Sequence, residues 1–320
     1  MRSIINWITG KWNSTPQMFI EEDILKIIFK INEDKLTICK KDILEKLDYP
    51  QDSIEKAIAT LLFYNEISED KEYFEIEEKG KKRAIKLIRK HRIYEKYLAE
   101  KTGFSKSNWH HKAEKKEHLL TDEQVDNMEK ELGFPKFDPH GDPIPTKDGV
   151  LPKLKGKTLN LVTSSTIVKI IHMEDEPHDI YKSLIKKEIH MGSIMKVQKQ
   201  SNGTIDYYTE GKHLKLSKKE AKNLQVVIIE QLDDIPMGVI RLTALKSNEK
   251  AIITGLSSEC RGINRRRLLD LGFVKGTKIS IGMVSPMQDP KAFLIRETLI
   301  ALRKEQTDMI LIKKLDHDTK

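Results

Sequence analysis

The segment LTICKKDILEKLDYPQDSIEKAIATLL, residues 36–62, contains two apolar runs joined by a short polar turn at residues 48–51. Thr37 is placed to cap the first run as a helix. The inward-facing residues of the two runs recur at helical spacing and are Ile43, Leu44, Leu47, Ile54, Ala57, Ile58, Leu61 and Leu62. The pattern therefore predicts two consecutive helices connected by a tight turn.

The flanking sequence completes a recognisable module. From Glu21 onward, apolar residues at helical spacing predict a preceding helix, and the alternating charged segment 67–76 predicts a small hairpin. Three short helices followed by a hairpin are typical of a winged helix-turn-helix, whose third helix reads DNA. A small helical scaffold domain fits the same pattern.

Composition narrows the class of protein. The 320 residues are 33% charged and 38% hydrophobic, which suits two or more globular units. No apolar run approaches the roughly 20 residues that a membrane span needs, and Met1–Trp12 lacks the features of a signal peptide. Cys39 and Cys260 are too far apart in sequence to suggest a disulfide framework or a thiolate zinc site. We therefore expect a cytoplasmic protein that does not bind a membrane.

The net charge of +8 does not identify a DNA-binding surface, because most of the excess lies in the C-terminal part. The basic run Lys79–Arg83 could contact phosphates, but a solvated helix face explains such a run equally well.

The rest of the chain divides into a helical part and a β-rich part. Helices are predicted over about 79–101, 106–120 and 121–132, and the Pro-rich segment 138–145 ends this periodicity. Short strands separated by turns then predict a small barrel, over 159–162, 167–172, 194–199, 205–208 and 226–229. After a linker at 230–237, a second β-rich unit contains one short helix, 265–271, and ends near residue 312.

The helical part carries the pattern with the clearest chemistry. His91 and Glu95 are four residues apart on one helix, and His110 lies one turn before a triplet at i, i+3 and i+4, namely Glu114, Glu117 and His118. Carboxylates and imidazoles that converge from packed helices are how helical proteins build divalent-metal sites. Oxygen and nitrogen ligands without sulfur favour Mn(II) or Fe(II), with zinc also compatible. A salt-bridged helix surface remains the alternative.

Residues 21–145 resemble the diphtheria-toxin-repressor family, which includes the manganese transport regulators. The resemblance rests on Arg89-Lys-His-Arg-Ile-Tyr-Glu95, His110-His-Lys-Ala-Glu-Lys-Lys-Glu-His118 and Pro139-His-Gly-Asp-Pro-Ile-Pro145. It implies a metal-dependent repressor that binds double-stranded operator DNA as a homodimer, with Mn(II) or Fe(II) as co-repressor.

The same resemblance implies two metal sites. The primary one would use Asp23, Glu114, Glu117 and His118, and the ancillary one would use His91, Glu95 and His110. Iron-sensing members have sulfur ligands where this chain has Asp23 and Glu114, so the chain looks more like the manganese branch. That branch has a second carboxylate where this chain has Lys26, which puts a two-metal cluster in doubt.

The resemblance also assigns the DNA-contacting positions. These are Thr37, Tyr49, Pro50, Gln51, Ser53, Lys56, Thr60 and Lys81. Gln51 and Lys56 could read base edges, whereas the hydroxyl groups could contact phosphates or bases.

The β-rich segments resemble two further domains. Residues 167–229 are similar to the family's SH3-like domain, although its ligand positions read Pro177 and Ile180, with His178 and Asp179 nearby as surface residues. Residues 240–314 resemble the small ferrous-iron transport A domains, through Arg266-Arg-Leu-Leu-Asp-Leu-Gly-Phe-Val-Lys-Gly276 and Ile300-Ala-Leu-Arg303. This domain would serve protein contact or simply stabilise the terminus.

The expected fold is therefore α+β and multidomain. It comprises a winged helix-turn-helix (1–84), a helical metal-binding and dimerisation domain (85–151) and two small SH3-like β-barrels (152–234 and 235–320). The expected function is metal-dependent transcriptional repression in metal-ion homeostasis, without enzymatic activity. An accessory protein of ferrous-iron transport and a metallohydrolase, the latter suggested by Glu114-Lys-Lys-Glu-His118, are the alternatives.

Overall fold

The computed structural model describes residues 16–33, 35–102, 104, 106–154, 156–163, 165–201, 204–209, 212–229, 238–257 and 259–315. The expectations for residues 1–12, for the turn at 202–203 and for the linker at 230–237 lie outside these ranges. The chain forms two compact units. The first contains the described residues up to Lys96, Asn108–Asp138 and Pro143–Lys153, and the second contains Tyr97–Ser107, Pro139–Asp142 and Leu154 onward. No described helix is long and apolar enough to cross a membrane.

The first unit begins with three helices and a three-stranded sheet. The elements are α1 (Gln17–Glu33), β1 (Ile38–Cys39), α2 (Lys40–Lys46), α3 (Gln51–Phe63), β2 (Ile67–Asp70) and β3 (Tyr73–Ile76). The strand order is β1-β3-β2, and β2 and β3 form the predicted hairpin. This is the winged helix-turn-helix arrangement that the apolar spacing predicts.

The apolar stripes of α1 and α3 form the core of this module. Ile24, Leu25 and Ile28 are completely buried, and Ile54 and Leu61 join the same cluster. Each fully buried aliphatic side chain contributes about 1.5–3 kcal/mol to folding. The core therefore fixes the orientation of α1, which carries part of the site described below.

The start of α2 differs from the expectation. Thr37 is exposed and does not cap the helix, because Ile38 pairs with Phe74 in the sheet and the helix begins only at Lys40. The Asp42 carboxylate accepts a hydrogen bond of 2.9 Å from the backbone N–H of Cys39 instead. This bond is the first cause of the lowered pKa of Asp42.

Three further helices complete the first unit: α4 (Glu78–Lys101, of which the part up to Lys96 belongs here), α5 (Trp109–Glu117) and α6 (Asp122–Glu131). Thr121 caps α6 and accepts a hydrogen bond from the N–H of Gln124. A small apolar cluster joins α4 to α6 and to the loop after it, through Ile93, Leu120, Val125 and Ile144.

Arg89 connects α4, α6 and the loop after α6 through charged hydrogen bonds. Its guanidinium donates to both carboxylate oxygens of Glu129, at 2.8 and 2.7 Å, and to the carbonyl oxygen of Pro145 at 2.9 Å. Asp126 lies 3.3 Å away. Arg89 is only 6% exposed, so the paired acidic groups offset the cost of burying its charge. This clamp holds α4, which presents His91 and Glu95 on another face.

The second unit contains two six-stranded antiparallel sheets. The first sheet has the order β4-β9-β5-β6-β7-β8 and the second has the order β10-β15-β11-β12-β13-β14. The strands of the first are β4 (Lys157–Thr158), β5 (Ile167–Met173), β6 (Ile194–Ser201), β7 (Thr204–Thr209), β8 (Lys212–Ser217) and β9 (Leu224–Ile228). Those of the second are β10 (Val239–Arg241), β11 (Lys250–Leu256), β12 (Lys278–Val284), β13 (Lys291–Ile295), β14 (Thr298–Leu302) and β15 (Ile310–Lys314). Among the described strands, neither sheet closes into a ring.

The described residues between these strands include four short helices: α7 (His178–Lys186), α8 (Lys218–Lys222), α9 (Gly262–Asp270) and α10 (Lys304–Thr307). The strands predicted near 167–172, 194–199, 205–208 and 226–229 are present as β5, β6, β7 and β9. The strand predicted over 159–162 is wrong, because Leu159–Leu161 form a turn of 3-10 helix with Leu159 in the core. The predicted short helix is present as α9, which begins three residues earlier than expected.

One partly buried carboxylate connects parts of the second unit that are distant in sequence. Glu259, in the loop after β11, lies 2.9 Å from Lys106 Nζ, 3.3 Å from His190 Nδ1 and 3.6 Å from an Arg241 nitrogen. It also accepts a hydrogen bond of 3.1 Å from the N–H of Met191. Burial alone would raise the pKa of Glu259, but these neighbours, led by Lys106, lower it strongly. Glu259 therefore ties the second sheet to the first.

A second buried acid stabilises the first sheet. Glu220 is 6% exposed and accepts hydrogen bonds from the N–H of Ser217 (2.7 Å), the Ser183 hydroxyl (2.7 Å) and Lys187 Nζ (2.8 Å). Burial alone would raise the pKa of Glu220, but Lys187 and the serine donors outweigh it and lower the pKa to about 2.

We expect Glu220→Gln to destabilise the second unit by about 2–3 kcal/mol at pH 7. Because the pKa of folded Glu220 lies below the ordinary value of 4.5, its carboxylate stabilises the fold above pH 4.5 and loses this effect as the pH falls toward about 2. Urea unfolding at pH 7 and pH 3 measures the difference, which should shrink at the lower pH. Glu297→Gln, at an exposed turn, is the control and should match the wild type at both. Equal stability of Glu220→Gln and wild type at pH 7 would contradict this account.

Candidate metal centre

Three helices of the first unit bring acidic and histidine side chains together. Helix α1 contributes Asp23, and α4 contributes His91 and Glu95, which share a face because they are one turn apart. Helix α5 and the residue that ends it contribute His110, Glu114, Glu117 and His118. The seven predicted ligands therefore lie on three packed elements.

The first group consists of Asp23, Glu117 and His118. Their candidate ligand atoms all lie within 4.8 Å of one another. His118 Nε2 is 3.2 Å from Asp23 Oδ1 and 3.9 Å from Glu117 Oε1. An ion held by these three side chains would connect α1 of the helix-turn-helix to α5.

The orientation of His118 is fixed by two residues of α1. Its Nδ1 lies 2.6 Å from Glu22 Oε2, and its ring stacks on Phe19 with 4.5 Å between ring centroids. Burial lowers the pKa of His118, but hydrogen bonds to Asp23 and Glu22 outweigh it and raise the pKa to about 9. Because only a neutral imidazole nitrogen coordinates a metal, binding at Nε2 has to displace a proton.

The second group consists of His91, Glu95 and His110, whose ligand atoms also lie within 4.8 Å of one another. Glu95 Oε1 is 3.3 Å from His91 Nε2 and 3.4 Å from His110 Nδ1. Glu95 and His91 are buried, at 1% and 6% exposure. A carboxylate in such a place requires positive charge close by, from an imidazolium or a metal ion.

The structure places Glu114 beside the second group rather than in the first. Its Oε1 lies 3.3 Å from His110 Nε2, and 46% of its side chain is exposed. Burial raises the pKa of Glu114, but the hydrogen bond to His110 and the charges around it produce a net lowering. The resemblance had assigned Glu114 to the primary site with Asp23, Glu117 and His118.

Lys26 lies where the two groups meet. Its Nζ is 2.9 Å and 3.1 Å from the two carboxylate oxygens of Glu117, and 3.4 Å from His91 Nδ1. Glu117 also contacts His91 Nδ1 directly through Oε2. Burial lowers the pKa of Lys26, but the charge of Glu117 outweighs it, so the pKa is raised and the ammonium stays charged. In turn, Lys26 and His91 overcome the effect of burial on Glu117 and lower its pKa to about 2.

Both groups offer only nitrogen and oxygen ligands, and neither cysteine belongs to them. Burial raises the pKa of the Cys260 thiol to about 11, so it remains protonated. Two carboxylates with one imidazole, or one carboxylate with two imidazoles, suit Mn(II), Fe(II) or Zn(II). The Glu22 carboxylate lies against the other ring nitrogen of His118, as a carboxylate often does at metal-binding histidines.

Most of the predicted DNA-contacting residues lie on α3 or in the turn before it, whereas Thr37 precedes β1 and Lys81 lies on α4. Thr37, Pro50, Gln51 and Lys56 are exposed, whereas Ser53, Thr60 and Lys81 are partly buried. Two of them make contacts within the helix: Gln51 donates to Glu55, and the Thr60 hydroxyl donates to the carbonyl oxygen of Lys56. Lys56 is thus an exposed positive charge on the outer face of α3.

Tyr49 has a contact that the sequence did not reveal. Its hydroxyl donates a hydrogen bond of 2.7 Å to Asp23 Oδ2, which belongs to the first group. Burial and the negative charge of Asp23 raise the pKa of Tyr49, so the hydroxyl keeps its proton. Tyr49 therefore joins the turn before α3 to the candidate metal ligand on α1, which differs from the predicted role in contacting DNA.

Two family models match this chain. Residues 77–146 match the model of the iron dependent repressor, metal binding and dimerisation domain, and residues 240–314 match that of the FeoA domain. These segments contain, respectively, His91 to His118 and the second sheet from Ile240 onward. The resemblances inferred from the sequence are confirmed for both.

Individual relatives agree with these models. The chain is 31% identical over 149 residues to a probable metal transport system membrane protein of Chlamydia trachomatis, covering 44% of this chain and 33% of that protein. It is 28% identical over 145 residues to the iron-dependent repressor IdeR of Mycobacterium bovis, covering 44% of this chain and 63% of that protein. The matches thus span less than two thirds of these relatives.

Solved structures share the fold of most of the chain. A manganese-dependent transcriptional repressor, in complex with manganese, matches with a TM-score of 0.61 and 24% identity. The match covers 65% of this chain and all of that one. The α+β architecture, with a helical domain followed by a β-rich region, is therefore shared.

We expect Tyr49→Phe to weaken the binding of Mn(II) by about 10-fold or more, since groups that orient a ligand typically affect affinity 10- to 100-fold. The hydroxyl holds Asp23 Oδ2, which leaves Oδ1 directed at His118. Isothermal titration with Mn(II), without DNA, measures the change. Tyr64→Phe, at an exposed position on the end of α3, is the control and should bind as the wild type does. Wild-type Mn(II) affinity in Tyr49→Phe would show that this hydrogen bond does not support the site.

Proposed function

We propose that this chain, a member of the diphtheria-toxin-repressor family that also carries a FeoA domain, is a metal-dependent transcriptional repressor. In this proposal, Mn(II) or Fe(II) acts as co-repressor, and the protein binds double-stranded operator DNA as a homodimer. The genes it controls would serve metal-ion homeostasis.

One observation carries the proposal. Asp23 lies on α1, which packs on the DNA-reading helix α3 through the core that contains Ile24 and Ile54. Its partners Glu117 and His118 lie at the end of α5, in the segment that matches the metal-binding and dimerisation domain. A metal held by all three residues would couple the helix-turn-helix to the domain that forms the dimer.

The residues of this chain support such a coupling. Glu22 and Phe19 orient His118, and Tyr49 orients Asp23, so part of the ligand set is held in place by the helix-turn-helix module itself. A bound cation would neutralise carboxylates that otherwise repel one another. Metal binding favours the conformation with the higher affinity, in which the two recognition helices of a dimer are held at the spacing of DNA half-sites.

The choice of metal follows from the ligands. Asp23, Glu117 and His118 form the primary site in this proposal, with Glu114 available from one turn away, and His91, Glu95 and His110 form the ancillary site. Neither has a sulfur ligand, which favours Mn(II) over metals that prefer softer ligands and is compatible with Fe(II). The metal supplies charge neutralisation and a cross-link, not redox chemistry.

The organisation of the chain is part of the proposal. We propose four domains, at 1–84, 85–151, 152–234 and 235–320, as the sequence predicts. We also propose that the two six-stranded sheets correspond to SH3-like domains. A protein that acts on operator DNA works in the cytoplasm. The FeoA domain would contact a protein partner, either another molecule or the rest of this chain.

The two alternative functions have fewer observations in their favour. An accessory role in ferrous-iron transport has only the FeoA match in its favour, which covers residues 240–314. A metallohydrolase would need Glu114 to act with Glu117 and His118, but Glu114 lies beside His110. The matching relatives are named as repressors and as a transport-system protein, not as hydrolases.

We expect Glu117→Ala and His118→Ala each to weaken operator binding in the presence of Mn(II) by about 100-fold or more, because each removes a ligand. Circular dichroism should show both variants folded, and a DNA mobility shift across a Mn(II) titration measures the loss. His178→Ala, an exposed histidine of the second unit, is the control. Unchanged operator affinity of both ligand variants in saturating Mn(II) would contradict the site assignment.

We expect Lys56→Ala and Lys81→Ala to weaken DNA binding. A lost phosphate contact should reduce the slope of log affinity against log salt by about one unit, whereas a lost base contact should also relax sequence preference. Affinities for operator and for scrambled DNA at four salt concentrations separate the two. Lys219→Ala, exposed in the second unit, removes the same charge and serves as the control. If neither variant differs from this control, another surface holds the DNA.

A further inference from the structure

A lysine lies among the candidate metal ligands of the first unit. Lys26 follows Asp23 by one turn of α1, and its side chain is 25% exposed, whereas that of Glu117 is 1% exposed. The Nζ atom approaches both Glu117 oxygens and the His91 nitrogen at 2.9, 3.1 and 3.4 Å. These are the types of atom that would coordinate a metal ion.

We propose that the Lys26 ammonium is a resident cation, which takes the position between the two metal groups and thereby prevents adjacent ions from sharing Glu117 and His91. This rests on the metal-binding part of the proposed function but not on DNA binding. Lys26 thus sets both the number of neighbouring ions and the metal concentration at which the first group fills.

The geometry of His91 supports this position for Lys26. Its Nδ1 faces Lys26 and Glu117, whereas its Nε2 faces Glu95 at 3.3 Å. His91 can therefore offer Nε2 to the second group while Lys26 and Glu117 occupy its other nitrogen. Each group can hold its own ion, but the space between them is taken.

Two consequences follow from the charge. Lys26 comes from α1 while Glu117 and His91 come from α5 and α4, so the ammonium links the same elements that a metal would link and stabilises them without metal. A dication in the first group also has to share Glu117 with a positive charge a few ångströms away, which lowers metal affinity. The ammonium therefore makes the site less sensitive to metal and better folded without it.

The test compares Lys26→Met, which keeps an unbranched side chain one atom shorter and removes its charge, with Lys26→Glu, which reverses the charge. Lys30→Met is the matched control, because Lys30 is exposed one turn further along α1. All measurements use the full chain. Mn(II) affinity is measured by anaerobic isothermal titration, metal-free stability by thermal melting, and proximity of bound ions by electron paramagnetic resonance.

We expect Lys26→Met to bind Mn(II) about 10-fold more tightly or better, since one charge is removed at close range. Its metal-free melting temperature should fall, because Glu117 loses its partner. Lys26→Glu should show an exchange-coupled pair of Mn(II) ions, whereas the wild type and Lys30→Met should show only isolated ions. The number of ions alone does not decide this, because the wild type can fill both groups.

A coupled Mn(II) pair in the wild type would overturn the proposal, and so would wild-type affinity and melting temperature in Lys26→Met. If Lys26→Met does not fold, the electron paramagnetic resonance spectrum of Lys26→Glu still tests the proposal, because it shows whether two bound Mn(II) ions are coupled. Operator binding by the wild type, measured in parallel with and without Mn(II), keeps the proposals apart. Its absence would refute the repressor function and leave the Lys26 results intact.

Discussion

The contact of Glu117 with Lys26 and His91 is the interaction on which the first unit's candidate site depends. It joins α1, α4 and α5 at one buried carboxylate. A carboxylate at 1% exposure would be strongly unfavourable without positive partners, so this point in the structure has to be occupied by cations. The neighbouring groups also pair negative with nitrogen-bearing side chains. Asp23 and Glu95 add negative charge on either side of Glu117, and His118 faces Asp23 while His110 faces Glu95.

Polar and apolar contacts position the helices around this point. Arg89 binds Glu129 and the carbonyl oxygen of Pro145, which fixes α4 against α6 and the loop after it. On the other side, Ile24 and Ile28 hold α1 in the core of the helix-turn-helix. Helix α4 joins the same core through Ala84, Ile85 and Ile88, so the candidate ligands lie on helices that apolar contacts already position. In the proposed function, a metal ion bound by these ligands would act on this arrangement through its charge.

Sequence spacing predicted those features that depend on a single helix. The four-residue interval between His91 and Glu95, and the triplet ending at His118, place side chains on one face whatever the tertiary structure. It could not predict contacts that depend on how helices pack, such as the hydrogen bond of Tyr49 to Asp23 or the position of Glu114 beside His110. Likewise, Thr37 has the right residue type for a cap, but strand pairing of Ile38 with Phe74 determines where α2 begins. The strand expected at 159–162 failed for a similar reason, because an apolar segment can be buried equally well by a 3-10 turn.

Lys26 shows how one residue can change a site whose other ligands are kept. The triplet and the two histidines predict a site for divalent cations. The resemblance inferred from the sequence identified Lys26 as a departure from the family, but it did not show where the ammonium lies. The structure puts that charge on Glu117, which belongs to the first group, and next to His91, which belongs to the second. A comparable arrangement occurs in the second unit, where Lys106 and Arg241 lie against the partly buried Glu259. There the ion pairs join parts of the fold that are distant in sequence. In the first unit the pair stands among candidate ligands, so under the proposal for Lys26 the same chemistry would compete with metal, and its strength would help to set the metal concentration at which the first group fills.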